Sequence, residues 1–228
     1  VAGGSYFRQT DCVTRFWSAD HHKVDLAAGE EVALIFVDGL RFDLAHELAD
    51  RLRSDLAGES GDSAGEREAQ SWSVSTSRWR ATVPSETEPG MGALLPGSTT
   101  ALSLDVANGK LRARRGQRYL TANYRRELLE GEGFTVTGEW DGDWGGGQAA
   151  FLDSDIDEGG EAGLDRIEEH LSGCVEALAE QIGKRLRQGG WKKAFVVTDH
   201  GFVLLPPDSG MEALDPPADA DAVTRGYT

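Results

Sequence analysis

Ala194-Phe195-Val196-Val197-Thr198-Asp199-His200-Gly201 is the stretch on which the fold turns. A short continuous apolar run is the pattern of a parallel strand buried on both faces. Here the run ends in a carboxylate beside an imidazole. Ligands of open α/β sheets gather beyond the carboxyl ends of the strands. Asp199 and His200 are therefore candidate metal ligands, and hard oxygen with imidazole suits Zn or Mn. The same dipeptide also serves as a turn or a locally satisfied hydrogen-bonding pair, so its meaning depends on what else reaches that edge.

Working outward, Glu31 to Val37 (EVALIFV) is the clearest strand, closed by Asp38-Gly39. Leucines at 40, 44, 48, 52 and 56 predict a helix from Leu40 to about Leu56. Residues 57–70 are a Gly/Ser/Glu-rich loop, and 71–83 read as extended. A turn at 84–90 leads into a short helix through Met91, Ala93 and Leu94, stopped by Pro96-Gly97. Residues 97–116 read as a small-residue, then Arg-rich insertion. A helix is expected at 117–130, a strand at 133–138, a loop at 142–147 and a strand at 149–152 that runs into an Asp-rich turn. The longest amphipathic helix spans 164–186, before the strand at 194–198. Strands alternating with helices predict an α/β fold with a doubly wound, mostly parallel sheet flanked by helices. Residues 1–30 read as a lead-in and 31–228 as the core.

The net charge is −16, and only five of the 23 basic residues are lysine. That is not the basic stripe of a non-specific nucleic-acid binder. It reads as a solvated acidic surface, or as carboxylates gathered to hold cations for a phosphate substrate. Cys12 and Cys174 suggest neither a disulfide framework nor a zinc knuckle. No apolar run approaches the ~20 residues of a membrane span and no signal peptide is visible, so a cytoplasmic protein without a membrane partner is expected. The first residue is Val1 and the last Thr228, and a piece of a longer protein is expected.

Three carboxylate-bearing strand ends stand out: Asp38, the Asp153/Asp155/Asp157 cluster and Asp199-His200. A parallel sheet brings such ends to one edge, where carboxylates and an imidazole can hold two divalent metals ~4 Å apart. Ser85 and Thr87 supply hydroxyls at a predicted helix start; on pattern alone, Ser85, Glu86 and Thr87 are also ordinary capping residues. Arg41 contacts a phosphate or pairs with Asp43 or Glu86. His46 and His170 read as surface or packing residues. Arg112, Arg114, Arg115 and Arg118 form the one basic cluster, steering a nucleic-acid backbone or lying in a solvated loop. Trp140 and Trp144 stack on a base or pack as a lid.

Val37-Asp38-Gly39-Leu40-Arg41, Pro84-Ser85-Glu86-Thr87-Glu88-Pro89 and Thr198-Asp199-His200-Gly201-Phe202 resemble, in that order, the metal-ligand and nucleophile segments of the alkaline phosphatase superfamily. With residues 91–97 (MGALLPG) and 156–161 (IDEGGE), the resemblance is closer to the PglZ domain of bacterial BREX/Pgl phage-defence systems, and covers about residues 31–205. It implies an alkaline-phosphatase-like fold and metal-dependent phosphoester hydrolysis, more of a phosphodiester in a nucleotide or nucleic acid, beside other components of a defence complex. Thr87 would be the nucleophile, with Ser85 and Arg41 at the substrate. Asp38, Thr87, Asp199 and His200 would bind one metal, Zn or Mn. Asp157 and Glu161 would begin a second site, in which Glu161 replaces the family's usual His. The family's last His ligand lies well downstream of Asp-His-Gly, and none follows here, so the second site is expected to be incomplete. Two other readings remain open: a catalytically inactive scaffold of the same fold, and a phosphomonoesterase or mutase of the superfamily.

Overall fold

The structure is a computed structural model that describes residues 31–57, 72–82, 85–96, 102–142, 147–161, 166–188 and 191–202, except the side chain of Glu161. Four strands form a parallel sheet in the order β5-β6-β1-β7: β1 is Val32–Val37, β5 Thr135–Thr137, β6 Gln148–Asp153 and β7 Lys193–Val197. β1 lies between two strands and every residue of it is buried. Ala33, Ile35 and Val37 pack on one side against α1 (Phe42–Ala57) and α5 (Ile167–Arg187). Leu34 and Phe36 pack on the other against α2 (Thr87–Ala93) and α3 (Ala122–Gly131). Burial on both faces is why this strand reads as an unbroken apolar run. The mixed α/β architecture with a parallel, helix-flanked sheet is the one expected.

The register aligns Val37 with Asp153 and Phe36 with Val197, so β1, β6 and β7 end together. α1 carries Leu44, Leu48 and Leu52 into the core and α5 carries Leu171, Val175, Leu178, Ile182 and Leu186.

Three expectations are corrected. Residues 102–119 form an antiparallel sheet, β2 (Leu102–Ala107), β3 (Lys110–Arg115) and β4 (Arg118–Tyr119), rather than an irregular insertion. Its hairpin turns at Asn108-Gly109, with φ of 55° and 71°, the left-handed pair that a tight hairpin requires. The helix expected at 117–130 accordingly starts at Ala122, capped by the Thr121 hydroxyl, which accepts from Tyr124 N. The Asp-rich turn is helical: Asp155–Glu161 is α4. The described residues 72–82, expected to be extended, contain only an isolated bridge at Arg80. Residues 1–30, with Cys12, His21 and His22, lie outside the described residues, as does Trp144. Among the described residues no helix is long and apolar enough to cross a membrane.

Candidate metal centre

Four segments distant in sequence meet where β1, β6 and β7 end. Asp38 leaves β1, and its N–H donates to Asp153 O at 2.8 Å, continuing the parallel ladder by one residue. Gly39 then takes φ of 67°, and a Cβ there would lie 2.9 Å from Asp157 Oδ1. Glycine is the residue that tolerates both that backbone and that approach. Thr198, just past β7, ties the two loops: its hydroxyl accepts from Leu40 N at 3.1 Å and donates to His200 O at 2.8 Å. Asp199 Oδ1 accepts from Gly39 N at 3.4 Å.

α2 brings the third segment. It begins at Thr87, three residues before the turn was expected to end, and includes Pro89 and Gly90. Proline is tolerated there because first-turn N–H groups have no helical partner. Gly90 lies against Asp199, where a Cβ would stand 2.7 Å from the aspartate Cβ. Glu86 occupies the N-cap without a side-chain cap bond. The half-buried Thr87 hydroxyl donates to Asp38 Oδ1 at 3.3 Å and lies 3.1 Å from His200 Nε2. Thr87 therefore does not cap α2; its hydroxyl turns toward Asp38 and His200. The fourth segment, α4, delivers Asp157, and Gly160 packs on the ring of Phe202, fixing α4 against the loop after β7.

Asp38, Asp157, Asp199 and His200 are all at most 9% exposed. His200 Nε2 lies 3.4 Å from Asp38 Oδ1 and 3.4 Å from Asp199 Oδ2. Burial, then the negative charges of Asp199 and Asp157, push the Asp38 carboxyl up to about 8, against the opposing charge of Arg125 and the Thr87 hydrogen bond. Burial also raises Asp199, opposed by His200 and backbone N–H groups. Burial and the charge of Asp155 push Asp153 up to about 6. Asp199 Oδ2 and His200 Nδ1 are buried without a hydrogen-bond partner among the described residues. Orphaned polar atoms of this kind are uncommon in folded proteins and mark a strained or functional place. Asp38, Asp157 and His200 each bring a ligand atom within 4.8 Å of the others, so this buried trio can hold a metal ion.

Of the remaining candidates, Ser85 is exposed. Arg41 closes on Asp43 through two hydrogen bonds, of 3.0 and 2.6 Å, and leans over Phe202. The Glu161 side chain lies outside the described residues. The basic cluster is no open patch: Arg112 pairs with Glu88, Arg114 with Asp105 and Arg118 with Glu127, while Arg115 donates to Pro96 O. Trp140 stacks on Phe151 at 4.0 Å between centroids. His46 meets Phe42 edge-on and His170 lies 3.6 Å from Cys174 Sγ, both as packing residues. Sequence reasoning missed the Thr198 clamp and the Gly90 approach, because Pro89-Gly90 read as the end of a turn rather than as part of the helix. Comparison of the chain with protein-family models, with curated proteins and with solved structures returned no match.

Proposed function

We propose that the chain is a metal-dependent phosphoester hydrolase of the alkaline-phosphatase type, resembling the PglZ domain, with phosphodiesters of nucleotides or nucleic acid as its favoured substrate class. The observation that carries this reading is the spacing of four donor atoms. Thr87 Oγ1, Asp38 Oδ1, Asp199 Oδ2 and His200 Nε2 stand 3.1, 3.3, 3.4 and 3.4 Å apart along four of their mutual edges. Donors ~2.0–2.1 Å from a tetrahedral cation are about 3.3 Å from one another. Two carboxylates, a hydroxyl and an imidazole are a hard-to-borderline set suited to Zn or Mn. The orphaned Asp199 Oδ2 fits a position meant for a cation rather than a proton donor. Asp157, which brings a ligand atom within 4.8 Å of those of Asp38 and His200, is assigned with Glu161 to a second metal next to the first.

A bound divalent cation acidifies a neighbouring hydroxyl and offsets the charge on phosphate oxygens. The chain's own residues do the rest. Asp38 orients the Thr87 hydroxyl through the 3.3 Å bond. Thr87 Oγ1 attacks phosphorus in line, forming an O–P bond as the ester oxygen departs. Water then cleaves the Thr87 O–P bond, releasing a phosphate monoester from a diester substrate and restoring the hydroxyl. Gly39 and Gly90 allow Asp157 and Asp199 to approach without a side chain intervening.

The test is Thr87→Ala on bis(p-nitrophenyl) phosphate with Zn or Mn present. Losing the nucleophile is expected to lower kcat by roughly 10³-fold or more, with circular dichroism unchanged because the Thr87 side chain bonds only within the site. Undiminished turnover would remove Thr87 from the chemistry.

A further inference from the structure

α2 is a helix that its own sequence does not sustain. It is seven residues long, Thr87–Ala93, and contains Pro89, Gly90 and Gly92. Its N-cap residue, Glu86, contributes no side-chain bond. A helix this short is marginal by itself, and glycine is a poor helix former. Yet its first residue is Thr87, whose hydroxyl reaches both Asp38, at 3.3 Å, and His200, at 3.1 Å. Something outside the helix holds its first turn.

Glu88 does so. Both of its carboxylate oxygens are engaged, Oε1 with Arg112 Nε at 2.6 Å and Oε2 with the Ala113 N–H at 3.0 Å. The second bond is the unusual one. β3 and β4 pair Arg114 with Tyr119 and Arg115 with Arg118, so the next step along the ladder sets Ala113 against Leu120. There Leu120 N donates to Ala113 O at 2.9 Å, while the Ala113 N–H goes to Glu88. A side chain of α2 thus occupies a ladder place of the antiparallel sheet. Ala113 is fully buried, and a buried N–H without a partner is costly. The far end of α2 presses on the same sheet: a Cβ at Gly92 would stand 2.7 Å from Leu120 Cδ1 and 3.0 Å from Leu102 Cδ1. Between these two ends, Gly90 lies against Asp199.

We propose that Glu88 is a positioning residue for Thr87. By taking the Ala113 N–H it fixes the first turn of α2 to β3 and holds the Thr87 hydroxyl against Asp38 and His200. This rests on the phosphoester reading above. The antiparallel sheet is then the anchor of the nucleophile. The ion pair with Arg112 is the part-exposed half of the contact and adds little. Metal stays with Asp38, Asp199 and His200, so Glu88 governs where the hydroxyl stands and not whether metal is held. The rival role is a strut that supports the fold without bearing on Thr87.

The experiment compares wild type, Glu88→Ala, Glu88→Gln, Arg112→Ala, Thr87→Ala and the double variant Glu88→Ala/Thr87→Ala. It reads kcat and KM on bis(p-nitrophenyl) phosphate, bound metal, and the visible spectrum of the Co(II)-loaded protein, which reports the ligands around the ion. Glu88→Ala is expected to lower kcat about 10- to 100-fold, with KM and bound metal little changed. Its Co(II) spectrum should move toward that of Thr87→Ala. Glu88→Gln keeps an oxygen for the Ala113 N–H and should stay close to wild type, as should Arg112→Ala. The double variant should be no slower than Thr87→Ala, because a group that acts through Thr87 then has nothing to act on. If Glu88→Ala does not fold, Glu88→Met, which keeps the length of the side chain without an oxygen, takes its place. Unchanged kcat in Glu88→Ala, an equal loss in Glu88→Gln, a loss that only follows loss of metal, or an additive loss in the double variant each overturns the proposal. The two readings fail separately. Turnover that needs Thr87 but not Glu88 removes the positioning and keeps the hydrolase. A Co(II) spectrum that answers to Glu88→Ala and Thr87→Ala alike, in a protein that turns over neither mono- nor diester, removes the hydrolase and keeps the positioning. A wild type without turnover that binds no Co(II), or whose Co(II) spectrum ignores Glu88, removes both.

Discussion

The two sheets of this protein treat charge in opposite ways. In the antiparallel sheet, Arg114 and Arg118 are closed on Asp105 and Glu127, and Arg112 joins the sheet to Glu88 of α2. These pairs are part-exposed, and each group's charge is answered nearby. At the edge of the parallel sheet, Asp38 and Asp199 are buried, and the basic group within ion-pairing distance of either, among the described residues, is His200 alone. Paired charge holds one part of the structure together. Buried carboxylates that share one imidazole destabilise another, and the fold keeps them there through Gly39, Gly90 and Thr198. Strain of this kind is found where a site is built for a ligand.

The contrast can be broken most forcefully at Asp199. Asp199→Asn removes one buried negative charge and is expected to lower metal affinity by about 100-fold or more. The same change should raise the thermal midpoint of the metal-stripped protein by a few degrees. Differential scanning fluorimetry with and without Zn reads both effects; a metal-stripped variant less stable than wild type would show that the carboxylate is structural.

A second test uses pH. The folded state holds the Asp38 carboxyl at about 8, above its ordinary 3.8, so folding favours the protonated form. Its stabilising contribution is full below pH ~4 and is lost as pH rises through 8. Asp153, held at about 6, adds to the loss between roughly pH 4 and 6. Denaturant midpoints of the metal-stripped protein should therefore fall over that range, and Asp38→Asn should flatten the slope. A midpoint that rises toward pH 8 would contradict the origin given for this charge.

The smallest effect is expected in the other sheet. Arg112→Ala opens a pair whose side chains are 29% and 27% exposed. Exposed pairs contribute about 1 kcal/mol or less, and metal binding should not change. A large loss of metal in that variant would mean that the Arg112–Glu88 pair also holds the metal, and the two regions would no longer be separable.

How much of this was legible follows from burial. β1 and β7 were readable because a strand within a helix-covered sheet leaves an apolar run, and α1 and α5 because their leucines recur at helical spacing. The convergence of Asp38, Asp157, Asp199 and His200 was expected from strand ends sharing an edge, whereas Thr87, at a helix start, was singled out only by the resemblance. The β2–β3 hairpin was obscured because partly exposed strands rich in arginine and small residues carry no clean alternation, although Asn108-Gly109 was a hairpin signal in plain view. α4 was obscured by Gly159-Gly160, poor helix formers that are there because His170 and Phe202 leave no room for a side chain.

The central claim is that the buried carboxylates and His200 are arranged for a cation. Its most direct test is the metal content of the extensively dialysed chain after incubation with Zn or Mn, compared with Asp199→Asn. At least one equivalent retained by wild type, and lost in the variant, is the expected result. No metal retained by wild type, or equal metal in both, would contradict it.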